Sequence, residues 1–218
     1  MAEVNLLAKL PRSRRNVTAR AVAKSAEVIA TSRRFGQEYF DGPREYGYGG
    51  YRYDGRWIPV AEDIVAHFGL KPGMRVLDVG CAKGFLVKDL MKVCPGLDVF
   101  GLDISDYAVR NCEPEVIGRL HVGNADSLPF PDGSFDAVVS LNTIHNFDSA
   151  GVVRALKEIQ RLSNGRAFVQ VDSYHDEEQR RLFLEWVLTA CFHDYPAGWL
   201  KLFVEAGYTG DHYWTIVE

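Results

Sequence analysis

The stretch that decides the fold is VLDVGCAKGF, at residues 76–85. A short run of aliphatic and β-branched residues leads into a glycine-containing turn, and residues 83–93 then show the period of an amphipathic helix. In an open α/β sheet, ligands bind at such turns, outside the carboxyl ends of the strands. Gly80 and Gly84 let the backbone approach a ligand closely, and Ala82 is nearly as small. The stretch therefore predicts a ligand crevice at the end of the first strand.

Two acidic residues indicate what kind of ligand this crevice binds. Asp78 lies in the turn region, where its negative charge opposes a pyrophosphate but suits a cationic amino group. Asp103 ends the next predicted strand (98–105), about 20 residues further on, where an acid accepts hydrogen bonds from ribose hydroxyls. We therefore expect a nucleoside that carries an amino-acid ammonium rather than a dinucleotide.

The next two strands add side chains to the same edge of the sheet. After the third strand comes NADSLPF (124–130), in which Asp126 is placed to accept from an adenine amine and Ala125 and Leu128 to form an apolar wall. The fourth strand, in FDAVVSLNTIHNF (135–147), brings Asn142 through His145 to the mouth of the crevice.

From residue 58 onward the chain alternates between strand and helix patterns. We predict helices at 58–70, 83–93, 105–112, 149–163, 176–191 and 196–207, and strands at 74–80, 98–105, 115–125, 134–142, 166–173 and within 208–218. This alternation implies an α/β fold with right-handed βαβ units and a mostly parallel twisted sheet covered by helices on both faces. We divide the chain into an N-terminal extension, 1–57, with a basic helix over 16–35, and a core, 58–218.

The motifs VLDVGCAKG, GLDIS and NADSLPFPDGSFDAVVSLNTIHNF, in this order, resemble the class I S-adenosylmethionine-dependent methyltransferase family over residues 58–207. The resemblance implies a Rossmann-like fold, S-adenosylmethionine as cofactor and S-adenosylhomocysteine as product. It places Asp78, Gly80 and Gly84 around the methionine moiety, Asp103 on the ribose, and Asp126 with Ala125 on the adenine. The full set of predicted cofactor-binding residues is Asp78, Gly80, Ala82, Gly84, Asp103, Ile104, Ala125, Asp126, Ser127, Asn142, Tyr48 and Tyr51.

The chain departs from the family pattern at two places. The usual glycine motif has glycine where Ala82 stands. The family's sheet ends with two strands after the fifth, one of them antiparallel, whereas only 208–218 reads as a strand here. We expect the other strand to be missing or hidden near 191–193.

The segment DGPREYGYGGYRYDGRW (41–57) follows neither a helical nor a strand period. Long loops in compact proteins are usually lids or binding loops, so we expect it to close over the cofactor. The segment also resembles one found in a small bacterial subgroup of these enzymes. The alternative is that its tyrosines only cover the edge of the sheet.

Methyl transfer requires alignment of the acceptor, whereas a general base is optional. We predict His145 as the leading base, with Tyr174 and His175, after the fifth strand, as a second group; each has a purely structural alternative. We expect no metal, because His145, Asp172 and His175 lack a ligand spacing such as HxxxH.

The composition is that of an ordinary soluble domain, with 47% hydrophobic and 25% charged residues. No apolar run reaches the length of a membrane span, no secretory signal is visible, and the four cysteines are scattered, so we expect a cytoplasmic protein. Residues 1–34 carry eight Lys/Arg against two Glu, within a net charge of −4. A basic arm that touches nucleic acid is one reading of this excess, and a solvated helix, which we favour, is the other.

We predict a methyltransferase acting on nitrogen or oxygen of a small metabolite, without nucleic-acid or membrane partners; a homodimer stays open. The alternatives are a methyltransferase acting on RNA or protein, a non-catalytic cofactor-binding subunit, and a nicotinamide oxidoreductase. Asp78 and the missing third glycine of GxGxxG disfavour the last of these.

Overall fold

The computed structural model describes residues 1–11 and 15–217, and a parallel β-sheet forms its centre. The sheet has six strands in the order β3-β2-β1-β4-β5-β6, and every neighbouring pair is parallel. The strands are β1 (Arg75–Val79), β2 (Asp98–Asp103), β3 (Leu120–Val122), β4 (Ala137–Leu141), β5 (Ala167–Ser173) and β6 (Asp211–Ile216). The strand order reverses between β1 and β4, so the crevice for a ligand opens at the carboxyl ends of these strands.

Helices cover both faces of the sheet. They are α1 (Val17–Ala23), α2 (Ala26–Ser32), α3 (Gln37–Phe40), α4 (Ile58–Phe68), α5 (Phe85–Val93), α6 (Asp106–Arg110), α7 (Ser149–Ser163), α8 (Glu177–Trp186) and α9 (Pro196–Ala206). One core packs α7 and α9 against the sheet around Leu156 and Trp199, and the other packs α4 and α5 around Ile64 and Leu90. All four of these side chains are fully buried.

Most predicted elements are confirmed, and α7 begins and ends at the predicted residues. The Asp148 side chain caps its N-terminus, and Asn164, in the left-handed region, ends it. The single helix predicted over 16–35 is instead two helices, because the chain is extended at Lys24 and Ser25 caps a new helix. The third strand, predicted within 115–125, is the short β3, and residues Pro114–Val116 before it form a 3-10 turn.

The end of the sheet differs from the family pattern. In the described part of the chain no antiparallel strand follows β5, and residues 191–193 are irregular, so of the two alternatives the strand is missing rather than hidden there. Strand β6 instead pairs directly with β5 over six residues.

The N-terminal segment lies along the free edge of β6. The amide of Val4 donates to the His212 carbonyl (2.8 Å), and the amide of His212 donates to the Ala2 carbonyl (3.0 Å). Leu6 is 5% exposed and belongs to the core formed by α4 and α5. These contacts make the first residues of the chain part of the sheet.

A membrane-spanning helix and a cluster of metal ligands are both absent from the described residues. No helix there combines the length and apolar character needed to cross a membrane. Within the same residues, no group of three or more His, Cys, Asp or Glu side chains is arranged to hold a metal ion. Arg12 and Arg14, part of the basic N-terminal cluster, lie outside the described residues.

Candidate active site

The glycine turn after β1 is shaped by contacts within the protein. Gly80 has φ +86°, and a Cβ there would lie 1.8 Å from Thr143 Oγ1, so the loop after β4 requires glycine at this position. Ala82 also has a positive φ, of 50°, a conformation that costs a non-glycine residue roughly 1–2 kcal/mol. Its amide donates a 2.7 Å hydrogen bond to Asp103 Oδ2. The carboxylate of Asp103 therefore holds the turn in place.

Asp103 closes β2 beside this turn and is 8% exposed. Its Oδ1 accepts from the Ser105 amide at 2.8 Å, so both carboxylate oxygens already have one donor. Burial raises the pKa of Asp103 and outweighs the two hydrogen bonds, which lower it. Because a carboxylate oxygen accepts more than one hydrogen bond, Asp103 still offers acceptor sites to a ligand in the cleft.

Asp78 is a buried carboxylate without a partner. It is 4% exposed, and no hydrogen-bond donor or cation reaches its carboxylate from the described part of the chain. Burial, with a further contribution from the charge of Asp103, raises the pKa of Asp78 to about 7. An unpaired buried charge is costly, so a cation beside this carboxylate would stabilise its ionised form.

Two adjoining cavities open at the carboxyl ends of β1, β2 and β4. The larger encloses about 730 Å³ of space that communicates with solvent, within the usual range for small-molecule sites. The smaller encloses about 450 Å³ and contains Asp78, Tyr51 and Trp57. Both share lining residues, so they form one cleft. The larger cavity is lined by Phe35, Tyr39, Phe40, Tyr48, Gly80, Ala82, Leu102, Asp103, Ile104, Gly123, Asn124, Ala125, Leu141, Asn142, Thr143, Asn146 and Phe147.

Most of the predicted cofactor-binding residues line this cleft. They are Asp78, Gly80, Ala82, Asp103, Ile104, Ala125, Asn142, Tyr48 and Tyr51. Gly84, Asp126 and Ser127 do not. A Cβ at Gly84 would meet Val116 and Leu120, so that glycine serves packing. Asp126 forms an ion pair with Arg154 at 3.0 Å. The role of each residue toward a cofactor stays a prediction.

The three predicted catalytic residues lie outside the lining of the cleft. His145 is 5% exposed, and its Nδ1 lies 3.7 Å from Asp172 Oδ2. It belongs to the 3-10 turn Ile144–Asn146, in which successive side chains point about 120° apart, so its neighbour Asn146 faces the cleft instead. Burial lowers the pKa of His145, against the opposite effect of Asp172.

Tyr174 and His175 follow the carboxyl end of β5. Tyr174 is 2% exposed, packs on Phe183 and pairs with His193 Nδ1 at 3.1 Å. His175 is exposed, and its amide donates to Gln179 Oε1 at the start of α8. Their catalytic roles, like that of His145, stay predictions that the geometry does not favour.

The Tyr- and Gly-rich segment, 41–57, lies over the cleft without regular secondary structure. Lys83 Nζ, beside the glycine turn, pairs with Asp41 Oδ2 at 2.6 Å and donates to the Tyr51 carbonyl at 3.1 Å. The Tyr107 hydroxyl donates to the same Asp41 oxygen at 2.7 Å. The ring of Tyr51 stacks on Phe85 with centroids 4.5 Å apart. We call the contacts of Lys83, Asp41 and Tyr107 the lid latch.

Sequence reasoning missed several residues of the cleft. Asn146, Tyr39 and Phe35 line it without having been predicted, whereas Thr143 lies within the range 142–145 that was expected at its mouth. Phe35 and Tyr39 come from the N-terminal extension, and no periodic pattern there indicates which side chains face the core. The position of Asn146 depends on the 3-10 turn, which local sequence does not indicate.

Comparisons with known proteins agree with this architecture. Residues 77–169 match the sequence family described as a methyltransferase domain. Among curated relatives, a demethylmenaquinone methyltransferase of Symbiobacterium thermophilum is 34% identical over 128 residues, which cover 55% of this chain and 50% of that protein. A 2-methyl-6-phytyl-1,4-hydroquinone methyltransferase of Synechocystis is 30% identical over 183 residues, 75% of this chain and 56% of the relative. A sterol 24-C-methyltransferase of Gibberella zeae is 35% identical over 146 residues, 60% of this chain and 38% of the relative.

The chain thus spans between about two fifths and three fifths of the length of these relatives. Among solved structures, one match is a chain from the complex between the Haloferax volcanii Trm112 methyltransferase activator and a methyltransferase. That chain is 26% identical to this one and aligns with a TM-score of 0.57, over 69% of this chain and 67% of the matched chain. The Haemonchus contortus phosphoethanolamine N-methyltransferase 2, in complex with S-adenosylhomocysteine, aligns with a TM-score of 0.57 at 19% identity, over 81% of this chain and 44% of its own, which shows the fold alone. The fold is that of a Rossmann-like class I methyltransferase. The matches support this enzyme class and S-adenosylmethionine as the cofactor.

Proposed function

From the methyltransferase domain at residues 77–169, we propose that the chain is an S-adenosylmethionine-dependent methyltransferase acting on nitrogen or oxygen of a small metabolite. The cofactor supplies an electrophilic methyl group, and S-adenosylhomocysteine is the second product. The protein's task is to orient the acceptor atom toward that methyl group and to exclude water from the cleft.

The observation that carries this proposal is the partnerless carboxylate of Asp78 beside the hydrogen-bonded carboxylate of Asp103. The ammonium of the cofactor's methionine portion would pair with Asp78, and its ribose hydroxyls would donate to Asp103. A dinucleotide would bring a pyrophosphate against two carboxylates instead, which is electrostatically unfavourable. The two carboxylates of the cleft therefore fit the ammonium and the ribose hydroxyls of S-adenosylmethionine.

Other residues of the lining complete the proposed cofactor site. Ala125 and Ile104 offer apolar surface to the adenine, and Ile104, 54% exposed, has no other role in packing. Tyr48 and Tyr51 stand over the smaller cavity near Asp78. Aromatic faces attract a sulfonium by cation–π interaction, worth about 0.5–2 kcal/mol.

A small acceptor agrees with the way the cleft is enclosed. The segment 41–57 is tied down over the glycine turn by the lid latch. Two basic residues of the described part of the extension turn toward the protein: Arg20 donates to the Glu45 and Gly47 carbonyls and lies over the Trp186 ring of α8, and Lys24 donates to the Leu184 carbonyl of α8. These cations are engaged in holding the extension to α8, which leaves them unsuited to bind RNA phosphates.

The finer assignments belong to the same proposal. The lid function of 41–57, the division at residue 57, membership of a small bacterial subgroup and a cytoplasmic location are expectations from the sequence. The relatives named above act, by their names, on quinones, hydroquinones and sterols, all of which are small molecules compared with RNA or protein.

The test is to incubate the purified protein with S-adenosylmethionine deuterated in its methyl group and a bacterial metabolite extract. We expect mass spectrometry to find a labelled small metabolite and S-adenosylhomocysteine in equal amounts. The Asp78→Asn variant is the control for label introduced by contaminating enzymes. Label on RNA or protein instead would reject the small acceptor, and cofactor binding without any label would indicate a non-catalytic subunit.

A further inference from the structure

Part of the wall of the larger cavity is built from aromatic rings. Phe35 and Tyr39 meet edge to face with centroids 5.3 Å apart, and Tyr39 and Tyr48 do the same at 5.2 Å. The Phe40 ring stacks on Tyr48 at 5.8 Å, and Phe147 lines the cavity from the loop after β4. We call these five residues the ring wall. Interlocked rings of this kind form a fixed apolar surface that suits the flat or apolar body of a ligand.

The charges around the cleft are of one sign. Asp103 lines the larger cavity and Asp78 the smaller, whereas no Lys, Arg or His of the described residues lines either. Lys83, which follows Ala82 of the lining, is held by Asp41 in the lid latch. When the cofactor ammonium pairs with Asp78, Asp103 remains as a carboxylate in the larger cavity, and an acceptor with a carboxylate or phosphate would be desolvated beside it without a Lys, Arg or His of the described residues in the lining.

A second polar side chain of the cleft, besides Asp78, has a buried atom without a partner among the described residues. Asn146 lies at the end of its 3-10 turn, next to Phe147, and only its backbone amide is hydrogen-bonded, to Thr143. Its Oδ1 is buried without a partner in the described part of the chain. A buried amide that is unsatisfied needs an explanation, and an Asn side chain can offer either donors or acceptors to a ligand after a simple flip.

On the basis of the proposed function, we propose that the methyl acceptor carries no negative charge, packs on the ring wall and hydrogen-bonds to Asn146 through its O–H or N–H group. The acceptor oxygen or nitrogen forms the new bond to the methyl carbon as the carbon–sulfur bond breaks. That electron pair stays on sulfur as the thioether of S-adenosylhomocysteine, and the acceptor's proton leaves to solvent. Asn146 and the ring wall would thus select the acceptor, while Asp78 and Asp103 bind the cofactor.

The charge of the acceptor is tested with a metabolite extract passed through a strong anion exchanger at pH 8. The unretained and retained fractions are each incubated with the full chain and deuterated-methyl S-adenosylmethionine. We expect the labelled product in the unretained fraction. Label only in the retained, anionic fraction would overturn the inference. No label in either fraction would overturn the proposed small acceptor as well, and calorimetry with S-adenosylhomocysteine would show whether the cofactor site itself is intact.

The contact with Asn146 is tested by Asn146→Ala, with the exposed Asn111→Ala as matched control. We expect Asn146→Ala to raise the KM for the labelled acceptor at least fivefold while the Kd for S-adenosylhomocysteine stays within twofold. Asn111→Ala should change neither value. An unchanged KM in Asn146→Ala would reject this contact, and a parallel loss of cofactor affinity would assign Asn146 to the cofactor instead.

Discussion

Asp78 shows how one residue can link stability to binding. Asp78 is 4% exposed and has no donor or counter-ion among the described residues, and such a carboxylate is destabilising when it is ionised. The free protein reduces this cost by holding the proton until about pH 7. A ligand ammonium would remove the cost altogether, so part of the cofactor's affinity would come from relieving this strain.

Replacing Asp78 by Asn should stabilise the free protein at pH 8. Because the folded pKa lies above the unfolded value, the folded state binds more protons between pH 4 and 7, and the stability of the wild type falls as pH rises through this range. Asn carries no such penalty. We expect the Tm difference between variant and wild type to be small at pH 4.5 and several degrees at pH 8, measured by calorimetry. A difference that does not grow with pH would show that Asp78 is not buried as an unpaired acid.

Replacing Asp103 by Ala should weaken cofactor binding. Replacement by Ala removes the acceptor for ribose hydroxyls and the acceptor that holds Ala82. We expect binding of S-adenosylmethionine to weaken by roughly 1–3 kcal/mol in titration calorimetry. Asp103→Asn, which keeps one oxygen, should lose less. Equal affinity in wild type and Asp103→Ala would reject the ribose assignment.

At the residue scale, the sequence predicts acids at strand ends better than side chains in turns. Asp78 and Asp103 follow from the topology, since the carboxyl ends of parallel strands meet at one edge. His145 and Asn146 are adjacent in sequence, and only the 3-10 geometry decides that Asn146 lines the cleft while His145 faces Asp172. No local pattern distinguishes the two.

Among the elements, the segment 41–57 is the one that we expect to open and close over the cofactor. It lacks regular secondary structure, and a half-buried ion pair and stacked rings hold it in place. Segments with few backbone hydrogen bonds open at low free energy. We expect the amides of 42–57 to exchange quickly in the free protein and slowly with cofactor bound; equal rates would remove the lid interpretation.

Breaking the lid latch should speed the opening of this segment. Lys83→Met keeps the aliphatic stem but loses the pair with Asp41 and the bond to the Tyr51 carbonyl. We expect amides of 42–57 in the cofactor complex to exchange at least several-fold faster in this variant, by hydrogen exchange with mass spectrometry. Arg56→Gln is the control, because it breaks an ion pair with Asp54 in the same segment that is about half exposed and so contributes little. Equal effects of the two variants would mean that Lys83 is not a latch.

Helices and strands can be predicted from the sequence where their end signals and their hydrophobic period agree. The end signals of α7, Asp148 and Asn164, match its hydrophobic period, and this helix is predicted to the residue. Strand β3 lies within the predicted stretch 115–125, but its short extent depends on the 3-10 turn at Pro114–Val116, which the local pattern does not indicate. Register and the parallel pairing of β6 depend on contacts far apart in sequence, which no local pattern contains.

For the whole molecule, the N-terminal residues complete the sheet rather than form a separate arm. They bond to β6 and place Leu6 in the core with α4 and α5. Exposed strand edges favour aggregation, so this segment also protects the edge of β6. Residues 1–34 carry more basic than acidic side chains, and this part of the chain has a structural role.

Removing the Leu6 side chain should therefore destabilise the entire domain. Leu6→Ala deletes a buried side chain, and we expect a loss of about 2–5 kcal/mol in the free energy of unfolding, measured with urea. Val22→Ala, at a side chain 84% exposed in the same extension, should change it by less than about 0.5 kcal/mol. If both variants are equally stable, the N-terminal segment does not belong to the core.

The central claim is that Asp78 and Asp103 form the binding site for S-adenosylmethionine, and the most direct test is calorimetric titration with S-adenosylhomocysteine at pH 6 and pH 8. With a pKa of about 7, Asp78 becomes largely ionised over this range, and we expect wild-type affinity to rise about tenfold. Asp78→Asn should bind weakly at both values without this dependence. Equal affinity of the two proteins at pH 8, with no dependence on pH in either, would contradict the account.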